Sequence, residues 1–131
     1  MRRVIPANLD LALLILRVAL GAVLITHGLT KLTGFGNTAG FFSSTGVPLP
    51  TLAAAYATIV EVGGGILILL GVLVDVVGVL FAIDILGAMI FVHFKNGYSG
   101  PNGWEYPSVL FAVALALALA GPGRYAPGRR T

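Results

Sequence analysis

Glu61 and Asp84, two of only five acidic side chains in this 131-residue sequence, lie inside long runs of apolar residues, and Arg17 lies inside a third such run. A charge surrounded by Ile, Leu, Val and Gly persists only if it is paired, neutralised or turned to a polar interior. Each of the three is therefore a candidate for ion pairing, proton binding or substrate binding. Helical spacing says what each would meet. Arg17 shares a face with Gly21, Leu24 and Gly28, Glu61 with Ala57, Gly64, Gly65 and Ile68, and Asp84 with Gly87 and Ala88. Small residues beside each charge let helices approach closely. The expected cluster is an Arg17–Glu61 pair with Asp84 as third member, acting either as a structural knot that fixes helix register or as a proton or substrate site. With Glu61 taken by Arg17, Asp84 has no cation of its own and becomes the candidate proton site.

A second polar group is expected near one membrane face. His27 and Lys31 are one helical turn apart, His93 comes just before Lys95, and Glu105 opens a later apolar run, where a carboxylate complements the helix dipole. Two histidines and a glutamate are metal-ligand types, but no HxxxH or HxxE spacing joins them on one helix, so no metal is expected. Lys31, Lys95 and Trp104 also read as interfacial anchors. A nucleophile, base and orienter cannot be assembled from these residues, so catalysis by the chain alone is not expected and no catalytic residue is assigned.

The elements that must hold these residues follow from composition. The chain is 57% hydrophobic and 10% charged, against roughly a quarter charged in a soluble domain, so its solvent is lipid. Four apolar stretches approach or reach the roughly 20 residues needed to cross the hydrocarbon: about 9–29, 52–74, 76–94 and 106–120. The fold class predicted is all-α, a four-helix transmembrane bundle forming a single domain over 1–131. The Gly-, Ser-, Thr- and Pro-rich stretch between the first two spans reads as a loop, with Phe41 and Phe42 suggesting a piece at the interface. A turn around Asp75 joins spans two and three. The segment "KNGYSGPNGWEYP" joins spans three and four through turn-forming pairs, and its Tyr98, Trp104 and Tyr106 suit an aromatic belt. Arg2 and Arg3 precede the first span and Arg124, Arg129 and Arg130 follow the last, whereas the opposite side carries Lys31 and Lys95, so both termini are expected in the cytoplasm. The first span is long for a signal peptide and no A-x-A-like site follows it, so it is expected to be retained. The absence of cysteine removes disulfides and thiolate metal sites. The scattered basic residues form no stripe for nucleic acid.

"RVALGAVLITHGLTKLTGFG", "IVEVGGGILILLGV" and "NGWEYPSVLFAVALALALAGPGR" together resemble the DoxX family of small bacterial membrane proteins. The resemblance rests on the order Arg17, Gly21, His27-Gly28, Lys31, then Glu61 with Gly64, Gly65 and Gly71, then Glu105 and Gly121-Pro122-Gly123-Arg124. It implies a multi-pass plasma-membrane protein associated with quinol oxidase, thiosulfate:quinone oxidoreductase and other redox-linked complexes. Two functions remain open: a non-catalytic subunit or scaffold that binds membrane or envelope proteins, and a binder of a small apolar molecule, quinone or lipid, near His27, Glu61 and Glu105. No prosthetic group is evident; quinone is the candidate cofactor, needing only apolar walls and a hydrogen-bond donor such as His27.

Overall fold

A computed structural model describes residues 2–127; Arg129 and Arg130, which enter the charge count above, lie outside the described residues. Among those residues the chain is all helical. Helix α1 spans Leu9–Thr33, α2 Phe35–Ser44, α3 Pro50–Leu70, α4 Val74–Ala88 and α5 Glu105–Ala120. Three stretches are long and apolar enough to cross a membrane, Leu9–Thr33, Pro50–Leu70 and Val74–Asn96, while Glu105–Ala120 is a shorter apolar helix.

Helix α1 is longer than its apolar run suggests. Asn8 caps it, its side-chain oxygen accepting from the Leu11 amide at 3.0 Å. At the other end Thr26, Thr30 and Thr33 donate their hydroxyls to carbonyls one turn back at 2.8, 3.1 and 2.9 Å. These bonds satisfy polar groups without leaving the helix, so it runs on past Lys31. The same device corrects the expected loop between the first two spans. Thr38 back-bonds to the carbonyl of Gly34, which caps α2, and Ser44 and Thr45 to that of Phe41, and the segment is a ten-residue helix that packs on α3 and leaves Phe41 half exposed.

Helix α3 begins on Pro50, whose missing amide hydrogen costs nothing at that position, and ends at Gly71. There φ is +80°, and the Gly71 and Val72 amides fold back on Ile68 O at 3.1 Å and Leu67 O at 2.9 Å, a helix stop that favours glycine. The turn into α4 is therefore residues 71–73, and Asp75 lies in the first turn of α4 rather than at the turn's centre. Helix α4 continues through a π-helical turn at Met89–His93 and a 3-10 turn at Phe94–Asn96. The following loop is held by Trp104 N to Gly97 O at 3.1 Å and Glu105 N to Tyr98 O at 2.9 Å, with Trp104 edge-on to Phe94 and Tyr98.

Glycine decides how the helices meet. A Cβ on Gly21 would lie 3.1 Å from Gly65 O, and one on Gly65 would lie 3.1 Å from Gly21 O and 2.7 Å from Ile25 Cγ1; at Gly28 it would meet Val62 N at 2.7 Å. The antiparallel α1–α3 pair is thus in backbone-to-backbone contact along a Gly21, Gly28 and Gly65 seam. Gly64 faces Val77 of α4, and Gly78 of α4 faces Ala114 and Ala118 of α5. Gly87, expected to line a packed face beside Asp84, has nothing within 4 Å of its Cβ position. Leu13, Leu20, Leu24, Ile68, Phe81, Leu110 and Leu117 fill the interior.

Candidate functional site

The α1–α3 seam fixes which charges can meet. Gly21 lies against Gly65, so Arg17, one turn toward the start of α1, lies level with Ile68 and Leu69. Glu61, one turn the other way on α3, lies level with Gly28 and Lys31. Arg17 and Glu61 are about two helical turns apart, roughly 11 Å along the axis. The expected Arg17–Glu61 pair is corrected on this ground: Glu61 pairs with Lys31, Nζ to Oε1 at 2.9 Å. Sequence alone places Lys31 as an interfacial anchor because it follows an apolar run. The continuation of α1 to Thr33 instead keeps it on the bundle, and its flexible stem carries the ammonium inward to a carboxylate that is 4% exposed.

Arg17 has a different environment. It is 1% exposed, and its guanidinium donates to four carbonyls: Nε to Ile68 O at 3.0 Å, Nη2 to Leu69 O at 2.9 Å, and Nη1 to Pro122 O at 3.1 Å and to Tyr125 O at 2.9 Å. Ile68 and Leu69 belong to the last turn of α3, whose carbonyls lack a regular helical amide four residues on and carry the negative end of the dipole, Ile68 O also taking the Gly71 amide. The cation is therefore compensated by backbone. Gly71 is required here for space as well as for φ, since a Cβ would lie 2.7 Å from Nη2. The Gly121-Pro122-Gly123-Arg124 segment brings the other two carbonyls, folding against the start of α1 with the Arg124 amide donating to Asp10 Oδ1 at 3.0 Å. Asp10, Pro122 and Tyr125 are participants that sequence reasoning missed. A carbonyl ligand leaves no mark in side-chain identity; only the glycines flanking Pro122 hint at it.

Asp84 joins Glu61, not Arg17. Its carboxyl lies at hydrogen-bonding reach of the Glu61 side chain, and its Oδ2 is buried without a hydrogen-bond partner. One turn earlier on α4, the Leu80 carbonyl accepts from the Tyr56 hydroxyl at 2.6 Å; Tyr56 is a further polar contributor that its apolar setting concealed. The central cluster is thus Lys31, Glu61 and Asp84, with Tyr56 beside it.

Of the expected outer group His27, Lys31, His93 and Glu105, Lys31 leaves for the central cluster. His93 and Glu105 line one open recess of about 230 Å³ together with Tyr98 and Tyr106. The His27 ring lies 6.4 Å from that of Tyr106. Nδ1 of His27 faces Val23 O at 3.0 Å and Nδ1 of His93 faces Asn102 O at 2.8 Å. A carbonyl only accepts, so each Nδ1 carries a proton; in the tautomer protonated there alone, Nε2 is an acceptor. The expectation that His27 serves as a donor is reversed in that tautomer.

The family model DoxX matches residues 12–94, well over half of the chain. The chain belongs to the DoxX family. The match covers α1 through the π-helical turn, so it includes Arg17, the α1–α3 seam and the Lys31–Glu61–Asp84 cluster, while α5 and the carbonyls of Pro122 and Tyr125 fall outside it. Relatives extend the likeness. The chain is 36% identical over 110 residues to "Putative oxidoreductase CatD" of Bacillus subtilis, covering 84% of this chain and 81% of that protein. It is 36% identical over 125 residues to "Inner membrane protein YphA" of Escherichia coli, covering 90% and 89%. It is 30% identical over 125 residues to "Inner membrane protein YqjF" of the same species, covering 92% of each. No solved structure matches the chain. This DoxX protein is a multi-pass protein of the bacterial cytoplasmic membrane.

Proposed function

We propose that this DoxX protein crosses the membrane four times with both termini cytoplasmic and serves as a small non-catalytic subunit or scaffold of a redox-linked membrane complex. The observation that carries this reading is the shape of its lateral surface. Helix α5 has 16 residues, about 24 Å of helix against roughly 30 Å of hydrocarbon. A short span is accommodated by thinning the bilayer or by associating with a neighbour. Its Val109 and Leu119 are 55% and 90% exposed, and Ile83 on α4 and Ile90 in the π-helical turn are 57% and 54% exposed. The redox link draws on the printed name of the Bacillus relative. The topology draws support from the Asp10–Arg124 contact, which joins the start of α1 to the segment after α5 and so fits an even number of crossings. Arg2, Arg3 and Arg124 then share the cytoplasmic end.

The test is native mass spectrometry after gentle extraction, with cysteines at Val109 and Ile83 for cross-linking. A protein bound at fixed stoichiometry and cross-linked through those positions supports the subunit reading. For topology, a cysteine at Ser99 should react with an impermeant maleimide in intact cells, and one at Thr131 should not.

A second reading is favoured by the outer recess. His93, Glu105 and Tyr106 line it and His27 adjoins Tyr106, so two imidazole acceptors and a carboxylate flank apolar walls, a set that could receive the hydroxyls of a quinol. A quinone bound there would supply two-electron, two-proton carrier chemistry. Recovery of a stoichiometric quinone or lipid in the same measurement would move the function to this reading.

A further inference from the structure

Asp84 Oδ2 is the one buried side-chain polar atom among the described residues that lacks a hydrogen-bond partner. Asp84 sits midway along the apolar Val74–Asn96 stretch, facing Glu61 of α3, whose Oε1 accepts from Lys31 of α1. Two ionised carboxyls at this reach cannot bond to each other, because each is only an acceptor. One ammonium cannot neutralise both. A single proton resolves both problems: an Asp84 hydroxyl donates to Glu61, Glu61 keeps its bond to Lys31, and one carboxylate balances one ammonium. Removing that proton leaves an uncompensated negative charge in the bundle, and adding a second leaves Lys31 without a counter-ion; either state is disfavoured at membrane depth.

We propose that Glu61 and Asp84 form a carboxyl pair that binds one shared proton, with Lys31 as its counter-ion and as its contact with the outer side. Lys31 is the member that reaches water, its side chain being 24% exposed against 5% for Glu61. A proton leaving the pair therefore passes from an Asp84 oxygen to Glu61 and out to water beside Lys31, and uptake is the reverse. The other titratable groups nearby are accounted for. Tyr56 on α3 is committed to Leu80 O at 2.6 Å. His27 on α1 is turned to Val23 O and the Tyr106 ring. On α5, which meets Gly78 at Ala114, Tyr106 and Glu105 lie about a turn outward of the level of Asp84. The site is independent of the subunit reading, since it would hold a proton whichever partner the protein has.

Infrared spectroscopy of the full chain in lipid nanodiscs tests the proposal, using protein with carboxyl-¹³C aspartate or glutamate. At neutral pH the wild type should show one protonated-carboxyl carbonyl band per chain that shifts with one or both labels, a measurement that needs no variant. Asp84→Asn and Glu61→Gln should each abolish the band, because the remaining acid then has Lys31 to itself and ionises. Lys31→Met should roughly double it, because neutrality then requires two protons. A wild type without the band overturns the proposal. So does a band that survives Glu61→Gln, which would mean that Asp84 holds a proton alone.

Discussion

The two ends of the α1–α3 seam each compensate a cation, and they do so in opposite ways. At the end beside Asp10 and Arg124 the Arg17 guanidinium is met by four carbonyls from the end of α3 and the segment after α5. At the other end the Lys31 ammonium, near the last turn of α1, reaches a single carboxylate that has a second acid behind it. Backbone carbonyls do not titrate, and their positions are fixed by the helices that carry them. Carboxyls can exchange protons, and a lysine on a flexible stem can follow the charge. The first arrangement suits a permanent joint between three parts of the chain; the second suits a site that changes state. Family membership does not by itself separate these roles, but the partner atoms do.

The contrast is broken most directly at Arg17. Arg17→Met should leave Ile68, Leu69, Pro122 and Tyr125 without their shared donor, loosening the end of α3 and the final segment together. The expected loss is about 3–5 kcal/mol, in the range for stripping one partner from a buried charge, read as a lower detergent melting temperature. Arg17→Lys should recover only part of it, because one ammonium has three donors and no planar fork. In a double-mutant cycle Arg17→Met and Glu61→Gln should add, within about 0.5 kcal/mol. Strong coupling would return Glu61 to Arg17 and undo the assignment of the two regions.

A smaller effect is expected from the seam that sets the separation. Gly65→Val would drive a side chain toward Ile25 and the Gly21 carbonyl and should lose about 1–3 kcal/mol by overpacking. Gly87→Ala, where nothing lies within 4 Å of the new methyl, should leave melting unchanged or slightly raised, since alanine favours helix by up to about 1 kcal/mol. Equal losses at Gly65 and Gly87 would mean that the α1–α3 contact does not dictate register.

The sequence makes the apolar spans visible because lipid imposes a composition that few soluble helices share. It also marks the close-packing face, since Gly21, Gly28, Gly64 and Gly65 stand beside the buried charges. What it does not carry is register. Arg17 and Glu61 both look central in their own spans, and only the seating of Gly21 on Gly65 shows them to be two turns apart. Lys31 is misplaced for a related reason: Thr26, Thr30 and Thr33 look like an exit from the membrane until their hydroxyls are seen bonding within the helix. Helix α2 is hidden by the same chemistry. The apolar Val72 and Leu73 extend the second span on paper, although Gly71 ends it. The π-helical turn at Met89–His93 has no sequence signal, and the Arg17 carbonyls belong to residues whose side chains do not take part.

The smallest effect on stability, and the sharpest on character, belongs to the Lys31–Glu61–Asp84 cluster. Glu61→Gln and Lys31→Met should each lose about 1–2 kcal/mol. That places the pair between exposed ion pairs, worth about 0–1 kcal/mol, and fully buried ones, because Lys31 can swing its ammonium toward water when its partner is gone. Their coupling in a double-mutant cycle should fall within about 0.5–3 kcal/mol, as for residues in direct contact. Asp84→Asn should change melting at neutral pH by little, because the amide keeps the shape of a protonated carboxyl and can donate to Glu61 as the acid does. It should do so while removing the protonated-carboxyl band expected of the wild type. At Arg17, by contrast, no substitution should separate stability from protonation, because carbonyl partners take up no proton. If Asp84→Asn proved as damaging as Arg17→Met, the central cluster would be a second fixed joint, and the difference between the two regions would be one of ligand type alone.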